Sequence, residues 1–385
     1  MDKIYTVRKK TRRNHFWVFS NEIKRIEGNP QSGDTVLVYD HDKFIGSGIY
    51  NPHSLISIRL YDRQERLLDK AFFIEKIQKA LTYRKAVLPN ETDYRLVYGE
   101  SDGLPGVVLD RYQNSFALQT YSIGMEKRHD LIIQALTELL PVDCVVAKND
   151  FRLRDAEGLD RYERVIYGQA TSVIISENKV KYYVDLMQGQ KTGFYYDQRI
   201  TRAKVRALSE NKDVLDVFCY TGGFAINAAL GNAKSVLAID ASQSAIELAI
   251  ANAKLNGVDK KIKFLVSDAF IGLRQLVKER QRFDLINLDP PPFFKSQKEK
   301  KQGLRGYKDI NLQAMKLLKD GGILVSSTCS HYLFWQDLLD VLSQAAADVN
   351  KTFRIIDRTT QGPDHPVLLS MPESEYLRCY FLEVH

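Results

Sequence analysis

The sequence predicts an α/β protein in which a doubly wound parallel sheet follows a small β-rich module and a mixed α+β segment. Three observations carry this. Beyond Asp185, strand-like runs alternate with stretches of helical length, as in βαβ units. Before about residue 70, short runs alternate apolar and polar positions between turn signals. Between these regions strands and an amphipathic helix follow one another in a less regular order. A chain of 385 residues exceeds one ordinary domain, and the expected division is 1–70, 71–184 and 185–385.

Composition limits the function classes. Apolar residues make up 44% and charged residues 27%, so a packed chain without disordered or fibrous bias is expected. No run of 18 apolar residues and no apolar signal core occur, so no membrane contact and a cytoplasmic location are expected. Cys144, Cys219, Cys329 and Cys379 stand far apart, without the spacing of a zinc cluster or a disulfide framework, so no metal is expected. The 55 Lys+Arg against 48 Asp+Glu leave +7, and Lys3, Arg8, Lys9, Lys10, Arg12 and Arg13 crowd the start beside His15, Phe16 and Trp17. Basic residues interleaved with aromatics suit a phosphate backbone and exposed bases. A run this short reads equally well as a solvated arm.

Along the chain, 35–39 and 56–60 read as strands separated by turns at 28–30, 33–34 and 51–52, as in a small barrel or sandwich. Phe72, Phe73, Ile77, Ala80 and Leu81 repeat at the helical period, predicting a helix over about 69–85. Strands at 107–109 and 116–121 and a helix over 126–140 follow, with a glycine-rich turn cluster at 99–106. The later sheet is expected to hold strands at 214–217, 235–240, 264–269, 283–289 and 322–327, with a helix near 310–318 and a turn at 320–322.

The strand ends carry the chemistry. The first βα turn, Asp216-Val217-Phe218-Cys219-Tyr220-Thr221-Gly222-Gly223-Phe224, has paired glycines but lacks the GxGxxG that seats a pyrophosphate, so a ligand without phosphate fits better. Asp240 ends the next strand 18 residues after Gly222, the spacing at which a carboxylate meets ribose hydroxyls. Ser242 or Ser244 caps the following helix, with Gly257 ending it. Asp268 closes the third strand, in position to accept from an adenine amine. One such aspartate is usually a cap or a loop residue, but recurrence at three strand ends reverses that reading.

The fourth strand ends Asp289-Pro290-Pro291-Pro292-Phe293-Phe294, a stiff loop at the ligand edge suited to an extruded base. Past the fifth strand comes Thr328-Cys329-Ser330. A thiol beside the same cleft is placed for covalent catalysis, although a lone cysteine is most often a small buried hydrophobe. Cys219, inside the first βα turn, is read as cofactor packing.

With these residues described, the chain resembles the bacterial S-adenosylmethionine-dependent 23S rRNA cytosine-C5 methyltransferases that carry an N-terminal PUA domain, over nearly its whole length. The resemblance rests on 99–106 with Asp110-Arg111-Tyr112, on 189–194 with Asp197-Gln198-Arg199, and on the strand-end motifs above. It implies a PUA-like RNA-binding domain over 1–70, an α+β middle domain over 71–184 and a Rossmann-like class I methyltransferase domain over 185–385. It also implies S-adenosylmethionine as cofactor and ribosomal RNA as partner. The cofactor would meet Asp216, Phe218, Tyr220, Gly222, Gly223, Asp240, Ser242, Asp268 and Ala269, with Asp197 and Arg199 in a segment closing over it. Asp289, Pro290, Pro291 and Phe293 would face the target base, Cys329 would be the nucleophile, and Lys10, Arg12 and Arg13 would touch RNA. The chain departs from the broader group in having Pro-Pro-Pro after Asp289 instead of a second, product-releasing cysteine, which leaves the base for elimination unassigned.

Two other classes stay open on sequence grounds. One is a methyltransferase for a purine nitrogen of RNA, which needs the Asp-Pro-Pro-x-Phe loop but no thiol. The other is an RNA-binding or ribosome-assembly protein without catalysis. An open β edge in the N-terminal modules is compatible with a homodimer. A nicotinamide-dependent dehydrogenase is the least favoured reading, because the dinucleotide glycine pattern is absent.

Overall fold

The structure is a computed structural model describing residues 1–9, 14–169, 172–294 and 296–385. Lys10, Arg12 and Arg13 lie outside the described residues. Contacts group the chain into two units, each assembled from three segments.

The first unit takes Met1–Ser176, Val184–Tyr196 and Pro363–Ser374. Its six-stranded sheet comprises β1 (Asp2–Thr6), β2 (Trp17–Val18), β3 (Ile23–Glu27), β4 (Thr35–Asp40), β5 (Lys43–Tyr50) and β6 (Ile58–Asp62), in the order β2-β6-β5-β4-β1-β3. Ile4, Val18, Val36, Val38, Ile58 and Leu60 form its core. Next comes α1 (Lys70–Val87), started by the Asp69 carboxylate accepting from the Phe72 amide; it buries Phe72, Phe73, Ile77, Ala80 and Leu81, the face its periodicity predicts.

A second sheet of β7 (Tyr94–Tyr98), β8 (Val107–Tyr112), β9 (Ser115–Thr120), β10 (Cys144–Lys148) and β11 (Glu163–Gly168) shares its core with α1. The single helix expected over 126–140 is instead two, α2 (Ile123–Glu126) and α3 (His129–Leu139). The break has a visible cause: the Arg128 guanidinium donates to the carbonyls of Gly124 and Gly33, while Glu126 accepts from Arg154 and Thr120. The two sheets are tied by buried charge, Arg59 donating to both Glu100 and Glu157.

The chain passes on through β12 (Ser172–Glu177) and β13 (Val180–Asp185). The second unit takes Glu177–Tyr183, Asp197–Gly362 and Glu375–His385. In chain order it contains α4 (Arg199–Leu208), β14 (Asp213–Val217), α5 (Gly223–Leu230), β15 (Ser235–Asp240), α6 (Gln243–Leu255), β16 (Ile262–Val266), α7 (Ala269–Lys278), β17 (Phe283–Leu288), α8 (Lys300–Leu317), β18 (Leu318–Thr328), α9 (Trp335–Asp348), β19 (Phe353–Thr359) and β20 (Arg378–Val384). The sheet order is β16-β15-β14-β17-β18-β20-β19, parallel through β18, with β20 antiparallel to both neighbours. Strand order reverses beside β14, and in such sheets a ligand crevice opens there at the carboxyl ends.

Three local expectations shift. The third strand stops at Val266, so Asp268 is the N-cap of α7, accepting from the Ile271 amide. The helix expected near 310 starts at Lys300. The turn at 320–322 lies inside β18, where Gly321 adopts a φ of 68° and the strand continues. The expected boundary at 184/185 and the contact units also part the chain differently, because Glu177–Tyr183 groups with the second unit. Among the described residues no helix is long and apolar enough to cross a membrane.

Candidate active site

The crevice begins with the turn from β14 into α5. Phe218, Tyr220 and Gly222 all take left-handed backbone conformations, at φ of 65°, 47° and 86°. For the two aromatic residues this is strained backbone, of the kind that collects at ligand sites. The Asp240 carboxylate at the end of β15 holds the turn, accepting from the amides of Tyr220 and Ser242, each at 2.9 Å. A carboxylate has about four acceptor positions, so Asp240 keeps capacity for two hydroxyls. Ser242 caps α6 through the Ala245 amide. At Gly222 a Cβ would stand 3.2 Å from Ala249 and Ile226, a tight contact added to the strain that its φ of 86° would impose on any side chain.

Asp216 is fully buried. It accepts from the Ala225 amide and from Asn287 Nδ2, both at 2.9 Å. Burial pushes its carboxyl up to about 7; these hydrogen bonds act against the rise, and the charges of Asp289 and Asp240 add to it. Asn287 Oδ1 is buried without a hydrogen-bond partner, an orphaned acceptor directly across the β14–β17 pairing from Asp216. Cys219 is buried and its thiol is raised well above its usual range, again by burial, which leaves it a packing residue of the turn.

The opposite wall comes from β17 and β18. Asp289 follows β17, half-buried, and accepts from Gln198 Nε2 at 2.8 Å. Cys329 follows β18, also half-buried, with its sulfur 4.0 Å from the Pro290 carbonyl. The thiol therefore lies at the carboxyl edge, against the loop that carries Asp289. Phe293 does not stand free in this loop: its ring packs 4.7 Å from Tyr307 and 5.6 Å from Phe270. Tyr307 is buried and accepts from the Thr328 hydroxyl, next to Cys329.

The segment before α4 is anchored firmly. The Asp197 carboxylate accepts from the Tyr376 hydroxyl at 2.6 Å, and its carbonyl accepts from the Gly362 amide. Arg199 is buried near Glu177, which accepts two 2.7 Å bonds from Arg202. At the chain start, Arg8 is buried and donates to the carbonyls of His15 and Trp17, and Trp17 Nε1 donates to Glu100. These three of the interleaved basic and aromatic residues serve the first unit's own structure.

Sequence reasoning assigned no role to Gln198, Asn287 or Tyr376. Gln198 and Asn287 lie inside motifs already singled out, whereas nothing local marks Tyr376.

A seven-stranded, mainly parallel sheet with acidic strand ends and no dinucleotide glycines defines a class: enzymes that bind an adenosyl ligand without phosphate and move one of its groups. A family model described as S-adenosylmethionine-dependent methyltransferase matches residues 164–370, and one described as PUA-like domain matches 6–63. The chain belongs to the S-adenosylmethionine-dependent methyltransferase family and carries a PUA-like domain on its N-terminal side.

Among relatives, "Ribosomal RNA large subunit methyltransferase I" of Vibrio vulnificus is 41% identical over 381 residues, covering 97% of this chain and 96% of its own. The protein of that name from Alteromonas mediterranea is 39% identical over 382 residues, covering 98% and 96%. A Streptococcus mutans protein described as a SAM-dependent methyltransferase shares the fold over 100% of both chains at TM-score 0.85 and 22% identity. Another solved methyltransferase chain, complexed with SAH, does so over 100% of both chains at TM-score 0.86 and 22% identity.

The residues present fit the cofactor. Asp216, Asp240 and the orphaned Asn287 oxygen supply acceptors and negative charge for a cationic, hydroxyl-bearing, phosphate-free molecule. Among the described residues no group of three or more His, Cys, Asp or Glu is disposed to hold a metal ion.

Proposed function

We propose that the protein methylates carbon 5 of a cytosine in large-subunit ribosomal RNA through a covalent adduct with Cys329. The relatives' names and the PUA-like domain support the RNA class. The observation that carries the chemistry is the half-buried Cys329, with its sulfur 4.0 Å from the Pro290 carbonyl, in the loop of Asp289. In this reading the segment 1–70 binds RNA, with Lys10, Arg12 and Arg13 on phosphates, 71–184 supports it, and 185–385 carries the reaction.

S-adenosylmethionine, held by Asp216, Phe218, Tyr220, Gly222, Gly223, Asp240, Ser242, Asp268 and Ala269, supplies an electrophilic methyl group. Asp197 and Arg199 fix the segment that borders it. Carbon 5 of cytosine is a poor nucleophile until the ring gains electron density. The Cys329 thiolate adds to carbon 6, forming a carbon–sulfur bond, while Asp289 hydrogen-bonds and protonates the ring edge. Gln198, by donating to one Asp289 oxygen, fixes the orientation of that carboxylate. Pro290 and Pro291 keep the loop stiff and Phe293 backs it. Once carbon 5 is methylated, loss of its proton to a base expels the thiolate, and return of the ring-edge proton to Asp289 restores the neutral ring.

Cys329→Ala tests the reading. It should bind S-adenosylmethionine as the parent does and yield no 5-methylcytosine in nuclease digests of ribosomal RNA analysed by mass spectrometry. Undiminished transfer by that variant, or a methylated purine from the parent, defeats the proposal.

A further inference from the structure

Directly after Cys329 the second unit presents exposed aromatic rings, which burial normally removes from water. Tyr332 is 41% and Phe334 58% exposed, although Leu333 between them is fully buried. Each ring has a fixed backing. Tyr332 lies 6.5 Å from Phe294, and Phe294 fits against α8 where Gly303 leaves room for it. Phe334 has the Arg378 guanidinium 5.3 Å and the Lys300 ammonium 5.9 Å from its centre. Lys300 also pairs with Asp337, and Arg378 with Glu375, so these cations are held in place beside the ring.

The neighbouring face of α8 is basic. Lys301, Arg305 and Lys308 recur at helical spacing, and Lys301 and Arg305 are exposed. Lys308 pairs with Asp348, and Asp337 and Asp340 border the groove between α8 and α9, leaving Lys301 and Arg305 as its outward positive charge.

We infer that Tyr332 and Phe334 form a stacking ledge for unpaired nucleotides flanking the target base, with Lys301 and Arg305 bearing on their phosphates. Charge complementarity selects this occupant. Rings with cations alongside suit bases that stack without sequence preference, and a cationic helix face suits a polyanionic strand. The inference rests on the reading of the Cys329 edge as the RNA-modifying site, since the ledge adjoins it in sequence.

The test measures binding of the full chain to a fluorescent, unstructured RNA of about ten nucleotides, a length within reach of one such groove. The double variant Tyr332→Ala, Phe334→Ala should bind roughly tenfold or more weakly, given the usual worth of base–aromatic stacking. The ring-preserving pair Tyr332→Phe, Phe334→Tyr should retain affinity. Lys301→Gln with Arg305→Gln should flatten the salt dependence of binding by about two phosphate contacts, which the aromatic variants should leave unchanged. Unaltered RNA affinity in the alanine pair overturns the ledge, as does an equal loss in the ring-preserving pair. Product identity is read separately: a methylated purine with RNA affinity still dependent on both rings would refute the cytosine chemistry and leave the ledge standing.

Discussion

Asp216 shows how much one buried carboxylate can set. With its carboxyl raised to about 7 by burial, the folded protein binds a proton that an unfolded chain releases near the ordinary aspartate value. The stability linked to that proton is therefore full below about pH 4 and is lost as pH rises through about 7. A cationic cofactor favours the charged form, so its binding opposes this loss. Affinity for S-adenosylmethionine, measured by calorimetry, should rise by up to tenfold per unit as pH increases towards 7 and then level off. Asp216→Asn should flatten that profile and weaken binding. A parent profile without slope between pH 5.5 and about 7 would remove Asp216 from the cofactor's electrostatics.

The placement of Asp216, Asp240 and Cys329 at the carboxyl edge of the sheet was legible in the sequence because the end of a parallel strand is a marked position. Gln198 was not, since its bond to Asp289 spans 91 residues.

Among the elements, α8 shows where local pattern fails. Its first turns, ahead of the expected start near residue 310, contain Gly303 and Gly306, residues of low helix propensity. The structure gives those glycines a packing reason. A Cβ at Gly303 would stand 2.0 Å from Phe294, and one at Gly306 3.0 Å from Phe293. The helix thus accepts poor formers so that the loop after Asp289 can lie against it. Gly303→Ala should gain about 1 kcal/mol of helix propensity and lose more to overpacking, for a net destabilisation of roughly 1–2 kcal/mol in denaturant unfolding. Because the displaced ring belongs to the Asp289 loop, methyl transfer should fall while cofactor affinity, which the proposed function places on residues outside that loop, holds. Greater stability with undiminished turnover would show that the loop does not depend on this packing. Elements of even pattern were legible throughout: α1 and the strands 214–217 and 235–240 lie within a residue or two of their expected limits.

At the scale of the molecule, the change of texture at Asp185 marks where βα alternation begins, yet the contact unit built on the seven-stranded sheet takes in Glu177–Tyr183 as well. Glu177 is buried, accepts both bonds from Arg202 and lies 3.9 Å from Arg199. The Tyr182 hydroxyl accepts from Asn227 Nδ2, and the amides of Lys181 and Tyr183 donate to Asn256, the C-cap of α6, and to Asn252 within it. No composition rule assigns these residues forward, because every partner lies later in the chain and is reached only by folding. A fragment spanning 185–385 would take Glu177 away from Arg199 and Arg202, and breaking a buried ion pair costs about 3–5 kcal/mol. A fragment spanning 172–385 keeps the pair and the α6 contacts. The longer fragment should unfold cooperatively and gain about 3 kcal/mol at a hundredfold excess of S-adenosylmethionine over its dissociation constant. The shorter should be molten or much less stable, and its cofactor response should shrink with it. Glu177→Gln in the full chain removes only the charge and should give a smaller loss of the same kind. Equal stability of the two fragments would show that the unit is complete from residue 185, and that the Glu177 pairing contributes little net stability.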